Sequence, residues 1–160
     1  MSFVKVNNFL SSENADNMLK FLATLPYNSS GERGVVRYGK TLSYSSNKIS
    51  EHIPEPIETI LISRLQAKGF VEEVGHVTVN RYLPNDTIPF HTDNHEAGEI
   101  ITIVSLGGSC NMLFKNNKHT LTYEVPNNSL IQFMDELRWK YKHSVSDIKE
   151  TRYSIVFRKH

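Results

Sequence analysis

The sequence predicts a mainly β fold of the α+β class, with two N-terminal helices packed on the outside of one sheet of a β-sandwich or jelly roll. Two observations lead to this prediction. Apolar residues recur at helical spacing within the first 70 residues, and from about residue 75 onward the pattern changes to period two. Clusters of Pro, Asn, Asp and Gly then separate short segments, as turns separate antiparallel strands.

The N-terminal part contains two predicted helices. Apolar side chains share one face over residues 11–25, and Ser11 or Ser12 can cap the helix that this spacing predicts. A second helix is predicted over residues 54–68 by the same spacing and by the glycine that follows it. Between them, residues 28–50 are polar and contain glycine, which indicates a loop or a loosely formed hairpin.

The C-terminal part contains the predicted strands. We expect one domain over residues 1–160, in which residues 1–70 form the helical support and a lid over the substrate. Residues 75–158 would form the jelly-roll core. The segments with strand periodicity are 76–83, 100–106, 111–115, 119–125, 129–134 and 152–158.

Composition sets broad limits on function. The chain has 160 residues and a net charge of about +1, which does not suggest a strongly basic nucleic-acid packaging protein. Its single cysteine, Cys110, cannot form an internal disulfide or a zinc–thiolate site, so a reducing, cytoplasmic setting is predicted. The longest apolar run, residues 100–106, is far shorter than the roughly 20 residues that span a bilayer, so no membrane association is predicted.

A histidine and an aspartate are spaced as neighbouring metal ligands. In an extended segment, His91 and Asp93 would point to the same side and could occupy adjacent positions on one metal ion. Non-haem Fe(II) oxygenases use two histidines and one carboxylate, which leaves positions open for substrate and O₂. His143, at the start of a late strand-like segment, is a candidate third ligand. A solvated pair in a surface turn is the alternative interpretation of His91 and Asp93.

Two further strands carry groups that can bind a carboxylate. Period two places Arg152 and Arg158 on one strand face, and arginine pairs bidentately with carboxylates such as those of a dicarboxylate cosubstrate. The alternative is an edge strand with solvated arginines. Asn80 and Tyr82 share one face of an earlier strand and can both hydrogen-bond a carboxylate, or else belong to a polar strand face with the tyrosine at the core rim.

The order of these elements resembles the AlkB family of Fe(II)/2-oxoglutarate dioxygenases, in a compact form similar to viral AlkB domains. The resemblance runs from about Arg37 to Arg158 and includes Asn-x-Tyr, His-x-Asp, a distal His and Arg-x5-Arg. It implies a double-stranded β-helix, which is a jelly roll, and the use of Fe(II), 2-oxoglutarate and O₂. It also implies that the catalytic iron ligands are His91, Asp93 and His143, and that the 2-oxoglutarate contacts are Asn80, Tyr82, Arg152, Ser154 and Arg158.

The activity implied by the resemblance is oxidative demethylation of N-alkylated bases, such as 1-methyladenine or 3-methylcytosine, in single-stranded RNA or DNA. This reaction repairs the base, converts 2-oxoglutarate to succinate and releases formaldehyde, and it implies no obligate protein partner. Because such enzymes hold an unpaired base between aromatic rings, Tyr38 and Tyr44 are candidates for stacking, unless they are half-buried loop residues. Trp139 either lines the pocket or is buried in the core.

The segment after Asp93 departs from the family pattern. Family members that act on alkylated bases often continue with acidic residues, whereas this chain has Asn94-His95-Glu96. Asn94 is therefore a candidate substrate contact in place of a carboxylate. With the near-neutral net charge, the departure leaves open a 2-oxoglutarate-dependent hydroxylase that acts on a protein side chain or a small molecule. A non-enzymatic jelly-roll binding module is a separate alternative, in which the set of metal ligands would be accidental.

Overall fold

A computed structural model gives the structure of residues 2–29, 33–40, 48–50 and 52–159. Within these ranges, the helices are α1 (Ser12–Leu22), α2 (Ser63–Ala67) and α3 (Asp135–Trp139), with a π-helical turn at Ile57–Ile62 and a 3-10 turn at His95–Ala97. The strands are β1 (Phe3–Asn7), β2 (Asn28–Ser29), β3 (Gly34–Gly39), β4 (Lys48–Ser50), β5 (His76–Tyr82), β6 (Ile88–His91), β7 (Ile101–Gly107), β8 (Cys110–Lys115), β9 (Thr120–Val125), β10 (Ser129–Phe133), β11 (Lys142–Ser146) and β12 (Arg152–Arg158).

The strands form a major and a minor sheet. In the major sheet the order is β1-β10-β7-β12-β5-β3-β2, with β4 parallel to β3. The minor sheet has the order β6-β11-β8-β9. All strand pairs other than β3–β4 are antiparallel among the described residues, which confirms the predicted jelly roll.

Period-two alternation divides the major sheet between two cores. Its outer face packs against the helices, and Met18, Leu22 and Leu65 are fully buried there against Val79 and Ile155. The inner face packs against the minor sheet in a second cluster, which contains Ile101, Phe114 and Phe133. The prediction of N-terminal helices outside one sheet is therefore confirmed, since apolar residues on both strand faces have a partner layer.

The helices are shorter than the sequence predicts. Helix α1 begins after Ser11, whose hydroxyl oxygen accepts the Asn14 N–H at 3.1 Å, so Ser11 and not Ser12 is the cap. The second predicted helix is continuous, but its first part is the wider π-helical turn. There the Ser63 N–H donates to the Glu58 carbonyl, five residues earlier.

Of the two alternatives predicted for residues 28–50, the loop is wrong where the structure describes this segment, whereas β2 and β3 form a short antiparallel pair, in agreement with the hairpin alternative. Strands β2, β3 and β4 extend the major sheet there, and β3 pairs with β5 along its full length. Both faces of β3 are covered, since Val35 and Val36 are both buried although they point to opposite sides. The strand begins and ends with glycine, and Arg37 interrupts its short apolar run, which explains why its sequence resembles a loop.

Candidate functional site

The two sheets bring His91, Asp93 and His143 together. Antiparallel pairing of β6 with β11 places His91 directly opposite His143, and their ring centroids are 4.3 Å apart. The Asp93 carboxylate lies 3.7 Å from Nε2 of each histidine. One ligand atom from each residue lies within 4.8 Å of the others, so this His-Asp-His cluster could hold one metal ion.

The surroundings of the two histidines keep nitrogen lone pairs available for a metal. The His91 Nδ1 lies 2.8 Å from the Pro89 carbonyl oxygen, and donation from Nδ1 leaves the Nε2 lone pair facing Asp93. His143 packs against the rings of Phe114 and Phe133. This burial lowers the pKa of His143 to about 4, although the nearby Asp93 raises it. His143 is therefore neutral near pH 7, which is the form that binds a metal.

Arg152 is a buried cation on the opposite side of the same cavity. Its side chain is 1% exposed, its Nε donates to the Ser105 hydroxyl at 2.9 Å, and its Nη1 has no hydrogen-bond partner among the described residues. The guanidinium lies 5.2 Å from the Tyr82 ring centroid. Burial raises the pKa of Tyr82, so its hydroxyl keeps its proton and can donate. A ligand carboxylate would satisfy the unpaired Arg152 donor.

Strand β12 is central and not at an edge. It lies between β7 and β5, which shows that the alternative of an edge strand with solvated arginines is wrong. Register places Ser154 opposite Asn80, and the Asn80 amide donates to the Ser154 hydroxyl at 3.0 Å. The side-chain carbonyl oxygen of Asn80 accepts a hydrogen bond from Arg33 Nε at 2.8 Å. Asn80 and Ser154 therefore form a linked polar wall of the cavity.

The cavity has a volume of about 280 Å³, which is enough for a small organic acid. Its lining includes all eight residues that the sequence assigns to the metal and the cosubstrate: Asn80, Tyr82, His91, Asp93, His143, Arg152, Ser154 and Arg158. It also includes Arg33 and Arg37, which sequence reasoning missed. Only strand periodicity in β3 could have indicated Arg37, because Arg37 pairs with Thr78 and so shares the face that carries Asn80.

The residues predicted to contact substrate are not all at the cavity. Tyr38 is 5% exposed and belongs to the core beneath the helices, on the opposite face of β3 from Arg37. Its predicted stacking role is therefore wrong. Tyr44 lies outside the described residues. Asn94 lines the cavity, but its side-chain oxygen already accepts the Glu96 N–H at 2.9 Å.

Trp139 lies on the surface beside the His-Asp-His cluster. It is 48% exposed, so the alternative of a core aromatic residue is wrong. Together with Thr92, Asn94 and His95 it lines an open depression next to Asp93. The neighbouring Arg138, which the sequence did not single out, is 2% exposed.

Comparison with known proteins identifies the family. The model of the 2OG-Fe(II) oxygenase superfamily matches residues 12–158. The chain belongs to this superfamily. The superfamily implies Fe(II), 2-oxoglutarate and O₂, and the His-Asp-His cluster fits iron binding.

Individual relatives confirm the AlkB-like character of this oxygenase. The chain is 29% identical over 126 residues to the tRNA (carboxymethyluridine(34)-5-O)-methyltransferase ALKBH8 of Mus musculus, covering 73% of the chain and 19% of that protein. It thus spans about a fifth to a quarter of the ALKBH8 relatives it matches.

Solved structures share the fold. The structure of OsALKBH1 matches with a TM-score of 0.75 at 17% identity, over 99% of this chain and 97% of that one. A Pseudomonas putida prolyl-4-hydroxylase matches with a TM-score of 0.65 at 14% identity, over 99% and 93%. Among the described residues of this oxygenase, we find no helix that is both long and apolar enough to cross a membrane.

Proposed function

We propose that this AlkB-like oxygenase demethylates N-alkylated bases, such as 1-methyladenine or 3-methylcytosine, in single-stranded RNA or DNA. The observation that carries the proposal is the cavity between the His-Asp-His cluster and Arg152, whose buried Nη1 has no partner in the described part of the chain. The similarity of the chain to a protein named as a tRNA methyltransferase supports a nucleic acid as the substrate.

Each wall of the cavity has its own proposed role. His91, Asp93 and His143 would hold the iron through Nε2 and carboxylate oxygen atoms, and Arg152 with Tyr82 would bind a carboxylate of 2-oxoglutarate. The remaining proposed 2-oxoglutarate contacts are Asn80, Ser154 and Arg158. Arg158 lines the same cavity, and its positive charge helps to lower the pKa of His143.

The bound iron would supply oxidation by O₂, in which one oxygen atom enters succinate as 2-oxoglutarate loses CO₂ and the other hydroxylates the N-methyl group. The hydroxymethyl group then leaves as formaldehyde: the electron pair of the broken C–N bond stays on the ring nitrogen, and the hydroxyl proton passes to solvent. Because the cavity lies between two sheets, the base must leave its stack to reach it, which favours single-stranded substrates. Asn94 at the cavity is the proposed substrate contact through its amide N–H, and stacking by Tyr44 stays a prediction.

The test is release of formaldehyde from methylated oligonucleotides, with single-stranded RNA and DNA compared side by side. We expect release to require both Fe(II) and 2-oxoglutarate, and His143→Ala to abolish it while the metal-free protein still folds. His119→Ala, which changes an exposed histidine in the β8–β9 turn, is the matched control and should keep full activity. Undiminished release by His143→Ala would refute the proposed ligand set.

A second candidate is a 2-oxoglutarate-dependent hydroxylase of a protein side chain or a small molecule. The observation that favours it is the hydrogen bond from the Glu96 N–H to the Asn94 side-chain oxygen, which occupies one of the two lone pairs that could accept from the exocyclic amine of a base. Succinate formation that a peptide or metabolite stimulates, and that methylated oligonucleotides do not, would support this candidate over the demethylase.

A further inference from the structure

A buried arginine next to the His-Asp-His cluster has no role in the function proposed above. Arg138 lies in the short helix α3, five residues before His143, and its side chain is 2% exposed although Trp139 beside it is 48% exposed. Burial of a guanidinium costs several kcal/mol unless its donors are satisfied. The partners of Arg138 therefore indicate what its burial achieves.

The guanidinium donates to three backbone carbonyl oxygens of one loop. Its Nη1 donates to the carbonyl of Asp93 at 3.1 Å, its Nη2 to that of Asn94 at 2.8 Å, and its Nε to that of Gly98 at 2.8 Å. The Trp139 ring lies 4.0 Å from the guanidinium carbon and covers it. A planar fork with fixed donor directions thus holds both ends of the 92–98 loop.

The 92–98 loop connects β6 to β7 and carries Asp93 at its start. Its own backbone bonds are few: the Ala97 N–H donates to the Asn94 carbonyl at 2.9 Å, and the Gly98 N–H donates to the His95 carbonyl at 3.2 Å. Gly98 adopts a φ of +91°, in the left-handed region that favours glycine. Neither bond fixes the loop to the strand that carries His143, whereas Arg138 belongs to the segment that leads into that strand.

We propose that Arg138 is a positioning residue, which holds the Asp93 backbone so that its carboxylate faces both histidines of the metal site. The inference rests on the proposed ligand set. Lysine cannot replace this arginine fully, because an ammonium is a point charge and cannot reach three carbonyl oxygens in one plane.

Replacement of Arg138 should change metal affinity in opposite directions, depending on whether the residue positions a ligand or acts only through its charge. Arg138 carries a positive charge close to the cluster, as its contribution to lowering the pKa of His143 shows. By Coulomb repulsion alone, removal of this charge would strengthen the binding of a cation. Loss of positioning would weaken it.

The experiment is a titration of the metal-free protein with Co(II) under nitrogen, followed through the d–d absorption bands. We expect Arg138→Met to weaken Co(II) binding by about 10- to 100-fold, the range for groups that orient metal ligands, and to change the band pattern. Arg138→Lys should fall between Arg138→Met and the unchanged protein. Lys140→Met removes an exposed cation just after the same helix and should bind Co(II) normally.

Thermal unfolding of each metal-free variant provides the second measurement. If Arg138→Met folds and binds Co(II) within twofold of the unchanged protein, or more tightly, the inference is wrong. A lower melting temperature with unchanged Co(II) affinity and spectrum would show a merely structural role and would also overturn it. If Arg138→Met does not fold, Arg138→Lys decides by the same criterion.

The same titration tests the proposed function separately. If the unchanged protein binds no Co(II), or if His143→Ala binds it equally well, the ligand set itself is wrong and the inference fails with it. If His143→Ala loses Co(II) binding while both Arg138 variants keep it, the ligand set stands and only the positioning role is refuted.

Discussion

Arg152 is the residue that most directly links the cavity to an anionic ligand. Its guanidinium is almost fully buried, and its Nη1 lacks a partner among the described residues, so the ligand-free protein bears the cost of an incompletely satisfied charge. Natural proteins keep such residues where function requires them, at a cost in stability.

We predict that Arg152→Met raises the free energy of unfolding of the ligand-free protein by about 1–2 kcal/mol, because an apolar side chain replaces a buried cation. The same change should abolish binding of 2-oxoglutarate in the presence of Mn(II). Urea unfolding measures the first effect and titration calorimetry the second, with Lys149→Met as the exposed control. Unchanged 2-oxoglutarate affinity would contradict the assignment of Arg152 to the cosubstrate.

The lowered pKa of His143 predicts how the free energy of unfolding of the metal-free protein changes with pH. Burial lowers its pKa from 6.5 to about 4, so below pH 6.5 the unfolded chain binds a proton that the folded protein does not. The free energy of unfolding should therefore fall by up to about 3 kcal/mol as the pH decreases from 6.5 to 4, and this residue should contribute almost no pH dependence above about pH 8.

Urea unfolding at pH 7.5 and pH 5, with and without His143→Gln, isolates this contribution from that of the other six histidines. Glutamine does not titrate, so the variant should lose less stability on acidification than the unchanged protein. An equal loss in both proteins would show that His143 titrates normally in the fold.

At the scale of elements, burial on both faces did not by itself hide a strand: β7 and β12 are buried along nearly their whole length and were predicted, whereas β3 was not. The alternation in β5 and β12 placed Asn80 and Arg152 on the cavity face correctly. Strand β3 is a short segment that begins and ends with glycine, so its sequence indicated a loop, and Tyr38 rather than Arg37 was named as a site residue. Once β3 is recognised as a strand, alternation places Arg37 and Tyr38 on opposite faces of the sheet.

Other parts of the site depend on contacts that no local pattern encodes. The spacing of His91 and Asp93 indicated two neighbouring metal ligands. Only the pairing of β6 with β11 places His143 beside them. Arg138 lies in a five-residue helix, which is too short for helical periodicity, and its partners are backbone carbonyls that any residue supplies. Sequence reasoning could therefore predict the ligand types but not the residue that positions their loop.

Asn128 connects the segment before α1 to the start of β10. Its side chain accepts from the Leu10 N–H at 2.9 Å and donates to the Leu10 carbonyl at 2.8 Å, and its own φ is +64°. We predict that Asn128→Ala lowers the free energy of unfolding by about 2–4 kcal/mol, from two lost buried hydrogen bonds and a strained backbone.

Asn128→Gly serves as the matched comparison in the same urea unfolding measurement. Glycine loses the two hydrogen bonds but adopts the positive φ without strain, so it should be about 1 kcal/mol more stable than the alanine variant. A cost below about 0.5 kcal/mol for Asn128→Ala, the range of ordinary surface changes, would show that this connection does not stabilise the fold.

At the scale of the whole molecule, the candidate site lies between the two sheets. The His-Asp-His cluster belongs to the minor sheet and the loop after β6, while Arg152, Tyr82 and Asn80 belong to the major sheet. A metal alone would contact only the minor-sheet side. A dicarboxylate that binds both the metal and Arg152 would connect the sheets, so its binding should depend on the metal and stabilise the whole fold.

We predict that saturating Mn(II) raises the melting temperature and that 2-oxoglutarate raises it further only when Mn(II) is present. A ligand at about 100 times its Kd contributes about 2.7 kcal/mol, which corresponds to roughly 5–10 °C for a domain of this size. His143→Ala should lose both increments, whereas Arg152→Met should keep the Mn(II) increment and lose the second. If 2-oxoglutarate stabilises the protein equally without Mn(II), its carboxylates bind the arginines alone and do not connect the two sheets through the metal.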